Sequence, residues 1–447
     1  MTVLNESGVP DVLPPLGAAG GLAERLPGLL VVVAGTRSEA HLLRCVPPPP
    51  APGTFPPPRS PRVLSLVLDP EDPPEQGRVA SGTVEAAAGF RGLEAVLLVA
   101  GRSARRLGVD AGLEARLAAR RLELPVLAVD PDEPYPVPGV LATDLEDRAL
   151  AALAGLCPEG KAGVPARREE GGAAKGGGLL ASLLGRGGGE ERREPLRRPV
   201  VLLGAVHSPG SGREVASELA RDGVEVAGSL PPGGPWELPP LGEGTLVAAL
   251  DPNLGAALEA AGRRGAGVVR TLCPIGVDGT ARFIQEVADA AGSTTSELGR
   301  ARAVWQELQP LRNRIRGKRI FFAGDTGLEV PLARFLADAG AVVLEVGAPR
   351  LDRRLLSEEL RALGPDVDVV ESPDWRGQLE RIERSRPDLV VASPGLYAAL
   401  VARGQLCRCS RDFLRLGVHG YGGARRVLEF LVRALDRAEA LDSATNL

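Results

Sequence analysis

The stretch VVVAGTRSEAHLL, Val31 to Leu43, decides how this chain is read. An uninterrupted valine-rich run ends at Gly35, passes through a short polar turn and enters a segment with helical spacing. A run that is apolar on both faces suits a strand buried inside a parallel sheet, not the alternating strand of a half-solvated one. Open parallel sheets hold their ligands in turns at the carboxyl ends of such strands. This turn offers Arg37, Ser38 and Glu39. It contains no cysteine, no phosphate-binding glycine pattern and no nucleophile in an elbow.

The same unit recurs outward from that point. The run Ala95–Ala100 opens AGRSARRLGVDAGLEARLAARRLELPVLAVD, a strand, a glycine turn, an amphipathic helix and a next strand at Pro125 to Val129. Between the two runs, PPPPAPGTFPPPRSP (Pro47 to Pro61) can hold neither a ladder nor a helix and reads as an extended surface loop. From Glu159 to Arg198 the composition turns Gly-, Arg- and Glu-rich, which reads as a flexible linker. The rhythm then restarts with a strand at Val200 to Leu203, a loop through Gly212, a helix to about Asp222 and a strand at Val224 to Val226. A third unit opens at Lys318 and closes with the helix ARRVLEFLVRALDRAEAL. Alternating strands and helices predict an α/β chain of three Rossmann-like, doubly wound parallel-sheet domains. The expected boundaries are 1–158, a linker over 159–198, 199–316 and 317–447.

Bulk properties agree with this division, since 447 residues exceed one ordinary domain. Charged residues make up 25% and nearly cancel, to a net charge of −4, so nothing electrostatic calls for nucleic acid or an acidic membrane. No apolar run reaches the length of a membrane span and no signal-peptide pattern is visible, so a cytoplasmic protein is expected. The five cysteines, Cys45, Cys157, Cys273, Cys407 and Cys409, are odd in number and scattered, which argues against a disulfide framework.

Individual motifs say less than the architecture. GAVHSPGSGRE, Gly204 to Glu214, resembles a phosphate loop but lacks its Gly-Lys-Ser/Thr ending and the G-x-G-x-x-G spacing, so it reads as a strand-to-helix turn. In GDTGLE, Gly324 to Glu329, Asp325 either touches a ligand at the sheet edge or caps the next helix. His41, His207 and His419 are far apart, and the Cys407-x-Cys409 pair has no second pair, so no metal site is expected. By spacing alone the chain is a three-domain α/β protein of unknown ligand.

A set of longer motifs goes further: LGEGTLVAALDPNL, CPIGVDGTARFIQEV, GKRIFFAGDTGLEVPLARFLADAGAVVLEVGAP, QLERIERSRPDLVVASPG and VHGYGGARRVLEFLVRAL, in this order. Together they resemble the N-subunit family of light-independent (dark-operative) protochlorophyllide reductase, which is related to nitrogenase component 1. The resemblance runs from about Pro199 to Leu435 and is thinner upstream, where VVVAGTRSEAHLL sits at the family's own Gly-Thr turn.

The resemblance implies three Rossmann-like domains and an N–B heterotetramer. It implies ATP-dependent electron delivery from an L-type iron–sulfur protein through a [4Fe–4S] cluster, and reduction of the C17=C18 bond of a tetrapyrrole during chlorophyll or bacteriochlorophyll synthesis. In that family the N subunit supplies three cysteines to the cluster and the B subunit an aspartate; thiolates match iron because sulfur is a soft donor. The first cysteine position falls near Pro14 to Gly21, the second at Glu39 and the third at Ser103, and none of these is a cysteine here. This chain alone is therefore expected not to ligate a cluster. The family's pocket motif reads LCRCSRDFLRLGVHGY, and with the CPIG motif it nominates Cys273, Cys409, Phe413, Arg415 and His419 as pocket residues. Two readings follow: an N-type reductase subunit, or a non-catalytic paralog acting as scaffold, assembly factor or pigment-binding protein. A more distant third is a small-molecule binder unrelated to tetrapyrroles.

Overall fold

The computed structural model describes residues 3–6, 22–23, 26, 28–39, 62–72, 74–129, 145–160, 198–206, 208–232, 237–293, 297–349 and 351–445. The Pro47–Pro61 loop, Pro14–Gly21, His41, Cys45 and His207 lie outside them, as does all but the ends of the 159–198 linker.

Three parallel sheets organise these residues. The first strand, β1 (Val3–Asn5), belongs to the last of them. β2 (Leu29–Gly35), β3 (Val63–Val67), β4 (Ala95–Ala100) and β5 (Val126–Val129) form the first sheet in the order β3-β2-β4-β5. Every residue of β2 and β4 is buried, as the unbroken apolar runs require. β6 (Val200–Leu203), β7 (Val226–Leu230), β8 (Leu246–Ala249) and β9 (Gly267–Val269) repeat the arrangement as β7-β6-β8-β9. β10 (Arg319–Ala323), β11 (Val342–Ala348), β12 (Asp368–Glu371), β13 (Leu389–Ala392) and β14 (Cys407–Cys409) form the third sheet, ordered β1-β12-β11-β10-β13-β14. Each sheet is wound outward in both directions from its first-formed pair, so each has one crevice where the winding reverses: between β2 and β4, β6 and β8, and β10 and β13.

The fold class is as read from the sequence, with three local differences. Val3–Asn5, expected in the amino-terminal unit, pairs with β12 in the third sheet, Val3 opposite Val369. The helix after β6 starts at Pro209, not beyond Gly212, because proline at a first helical position is preorganised for the turn. The strand expected at Val224 to Val226 lies further along, at Val226–Leu230.

Alternation along β6 joins the units. Val200 and Leu202 face a core shared with the third sheet, whereas Val201 and Leu203 face a core shared with Val31, Val33 and Leu97 of the first. The helix Leu145–Ala154 lies in that second core. Its buried Asp147 accepts the amide protons of Ala256 and Ala257 (2.9 and 2.8 Å), capping the helix Gly255–Arg263 of the next unit. The ends of the 159–198 segment are held as well: Pro158 accepts from the Leu241 amide, and Arg198 donates to the Thr245 carbonyl at 2.9 Å. No helix among the described residues is long and apolar enough to cross a membrane.

Candidate functional site

At the first reversal point the two nominated cluster positions do come together. The Glu39 carboxylate accepts the Thr36 amide proton (2.8 Å) and that of Ser103 (3.3 Å), and the Ser103 hydroxyl donates to it. The carboxylate fills the gap between two strand-end glycines. A Cβ on Gly35 would collide with it, and one on Gly101 would lie 2.8 Å from its Oε1. Glu39 thus closes the crevice between β2 and β4 from inside.

The third reversal point carries the same device. In GDTGLE, Glu329 accepts from both the amide and the hydroxyl of Thr326 (2.8 Å each), and a Cβ on Gly324 would strike its carboxylate. Thr36-x-x-Glu39 and Thr326-x-x-Glu329 share the Thr-x-x-Glu spacing of a capping box, although the second closes the turn ahead of its helix, which starts at Glu329 after an N-cap at Leu328. That spacing was the available signal, and a search for ligands overlooks it. Asp325 neither caps the helix nor is free: it accepts from the Ser410 hydroxyl (2.7 Å) and from Arg411 (3.3 Å), tying β14 to the β10 turn.

These described donors do not fit a [4Fe–4S] cubane. Glu39 and Ser103 are hard oxygen donors already committed to each other and to backbone amides. Cys157 is buried at the end of the helix Leu145–Ala154, and burial pushes its thiol up to about 11. Among the described residues no three His, Cys, Asp or Glu side chains are grouped to hold a metal. Anaerobic reconstitution of the full chain with iron and sulfide is therefore expected to give a colourless protein without stoichiometric iron. Four irons per chain with a reducible cluster signal would refute this.

The second reversal point is different, because space opens beside it. Asp251, after β8, accepts from the Ala205 amide (2.5 Å) and lies 3.0 Å from Nε2 of His419. His419 is buried, and its Nδ1 has no partner. With Nε2–H donating to Asp251, the bare nitrogen is the one left unpaired, which costs less than an orphaned N–H. His419 pairs through its backbone with Ile275, and Gly420 donates to the Pro274 carbonyl, so the two family motifs CPIG and VHG meet here.

Next to this pair lies an inner chamber of about 330 Å³, lined by Asp251, Thr271 and Cys273. An outer groove of about 590 Å³, between the helix Gly255–Arg263 and the loop after β11, adjoins it. Leu258, Arg270, Arg354 and Leu355 line both, forming the waist between them. The volumes are in the range of small-molecule sites. Burial, aided by Glu359 and Asp251, pushes the Cys273 thiol well above its ordinary value, so it stays protonated.

Of the five pocket candidates, Cys273 and His419 meet around Asp251 and the other three do not join them. Cys409 sits on the edge strand β14 with its thiol raised by burial, and Cys407 on the same strand is pushed up to about 12. Phe413 is core, packed edge-on against Phe430 with ring centroids 5.4 Å apart. Arg415, two residues along the same helix, points to solvent because positions i and i+2 do not share a helical face. Asp251, Arg270 and Arg354 were missed: a lone Asp and two Arg in an Arg-rich chain carry no local signal.

The subunit N of light-independent protochlorophyllide reductase from Roseiflexus sp. (strain RS-1) is 40% identical over 246 residues, covering 55% of this chain and 59% of that protein. The match thus spans about three fifths of that relative's length. The protein of the same name from Synechococcus elongatus is 34% identical over 309 residues, covering 67% and 66%. A solved structure described as nitrogenase Cp1 at pH 6.5 superposes with a TM-score of 0.67 over 98% of this chain and 95% of that one, at 14% identity, a likeness of fold alone. Residues 166–436, which include the Asp251–His419 pair and both chambers, match the family of nitrogenase component 1 type oxidoreductases, and the chain belongs to that family.

Proposed function

We propose that the chain is the N-type subunit of a light-independent protochlorophyllide reductase. In this reading it works in the cytoplasm with a B-type subunit and an ATP-hydrolysing L-type iron–sulfur protein, in chlorophyll or bacteriochlorophyll synthesis. The carrying observation is that the CPIG and VHG motifs, two of those that resemble the reductase N subunits, meet beside one cavity at Asp251 and Cys273. In this role the chain binds the tetrapyrrole between its second and third sheets. Its own residues shape and dry the cavity: Leu258, Leu355 and Leu356 supply apolar walls, and the neutral Cys273 thiol adds no charge. In this reading the cluster is not held by Glu39 and Ser103, whose oxygens are committed to each other and to backbone amides.

One observation favours the second reading, a non-catalytic paralog: Glu39 fills the first crevice with a capping box. The two readings separate in one experiment. Co-expressed with a B-type subunit, the chain is expected to elute as a complex well above the monomer. Addition of the L-type protein, ATP and reductant is then expected to convert protochlorophyllide to chlorophyllide, followed by absorbance. A complex without turnover would favour the scaffold, and a monomer in the presence of its B subunit would remove both the reductase subunit and the scaffold and favour a stand-alone binder.

A further inference from the structure

The acids around the two chambers are engaged. Asp251 holds Ala205 and His419, Glu359 accepts from the Cys273 amide (2.7 Å) and from Arg334 (2.7 Å), and Glu358 is paired with Arg282 at 3.0 Å. Asp352 is turned into its own loop, accepting from the amides of Arg354 and Leu355. On the outer rim, Glu259 lies one helical turn before Arg263, so charge is balanced there. The waist is not balanced. Arg270, following β9, has no partner among the described residues, and Arg354, from the third unit, is only 3.8 Å from Asp352 at its Nε. The hydroxyl oxygen of Thr271, also lining the inner chamber, is buried without a partner.

Two arginines from different units therefore line the region common to both cavities, together with Leu258 and Leu355, and the unused Thr271 hydroxyl lines the inner one. Both arginines are exposed, Arg354 with 59% of its side chain accessible, so neither charge is neutralised, and an anion held between them gains charge-assisted hydrogen bonds from both. We propose that this waist is a carboxylate-binding subsite. Arg270 and Arg354 clasp an acid group on the rim of a flat apolar ligand, and the Thr271 hydroxyl orients it. The subsite rests on the tetrapyrrole reading, whose substrates carry such acid groups, and it adds orientation: the acid edge lies at the waist while the ring extends into a chamber.

The test is a fluorescence titration of the full chain with protoporphyrin IX and with its dimethyl ester, which differ only in the acid groups. The wild-type chain is expected to bind the acid at least about tenfold more tightly than the ester, the magnitude of a charge-assisted hydrogen bond. R270A and R354A should each lose about that factor for the acid and leave the ester unchanged, with far-ultraviolet circular dichroism and thermal unfolding as in wild type. Equal affinities for acid and ester would overturn the subsite while the tetrapyrrole reading stands. Equal loss of both ligands in the variants would also overturn it, since that marks a damaged cavity. Binding of neither compound by wild type would overturn the subsite together with the tetrapyrrole reading on which it rests.

Discussion

R334M is expected to destabilise the chain by about 3–5 kcal/mol and to abolish ligand binding in the cavity. Arg334 is 1% exposed, a guanidinium in the middle of a core. Its Nε donates to Glu359 at 2.7 Å, and one terminal nitrogen donates to the carbonyls of Ile275 (2.8 Å) and Cys273 (3.4 Å). Burial works against its charge, but Glu359 and Asp338 outweigh burial and keep it protonated. Methionine matches the volume and none of the donors. It leaves the Glu359 carboxylate buried without a cation and strips two carbonyls of their partner. Glu359 also holds the Cys273 amide, so the loop carrying Cys273 and Ile275 loses its anchor on the cavity wall. Urea unfolding of wild type and R334M measures the difference. The double variant R334M/E359Q should recover part of the loss, because removing both charges costs less than orphaning one. A loss below about 1 kcal/mol would show that water or a shifted side chain replaces the guanidinium.

The second large effect is one of pH. Glu329 is 2% exposed, its Oε2 has no partner, and burial pushes its carboxyl up to about 7, partly opposed by the hydrogen bonds from Thr326. The reference carboxyl titrates at 4.5, so the folded chain holds this proton more tightly than the unfolded one. The resulting stabilisation is complete at acidic pH, declines by about 1.4 kcal/mol per unit between those values and is gone above about 7. The total is about 3 kcal/mol. E329Q mimics the protonated form and keeps an oxygen that can accept from the Thr326 amide and hydroxyl. Relative to wild type, E329Q should gain about that amount between pH 4.5 and pH 8. Unfolding midpoints at four pH values decide it, and parallel profiles for the two proteins would refute the assignment.

What was legible in the sequence depended on how much signal each element carries in its own residues. β2, β4 and β6 were readable almost to the residue, because a strand buried on both faces is apolar throughout. β7 was misplaced because its centre, Gly228 and Ser229, lacks the apolar density that Val224 and Val226 have. β1 has three residues, only two of them apolar, and a partner far away in sequence; no local pattern marks such a strand. Glu39 was visible as a residue, and the Thr-x-x-Glu spacing that Glu329 repeats marks it as a brace of its own turn, a signal carried by spacing and not by residue type. Arg415 was nominated for the pocket by its place in the family's motif, although helical geometry turns it away from Phe413. The Asp251–His419 pair and the waist arginines join segments that only the winding of the sheets brings together.

The pairing of β1 with β12 also sets a clock. Val3 meets Val369, Glu6 accepts the Asp374 amide proton, and Glu6 pairs with Arg381 at 2.6 Å. At ribosomal rates of about 5–20 residues per second, β1 is made tens of seconds before the strand it needs. The first two sheets can condense in that interval while the early strand waits with an unpaired edge. Only when β12 arrives does β1 find its seat, so a strand that precedes the first sheet is fastened by the third.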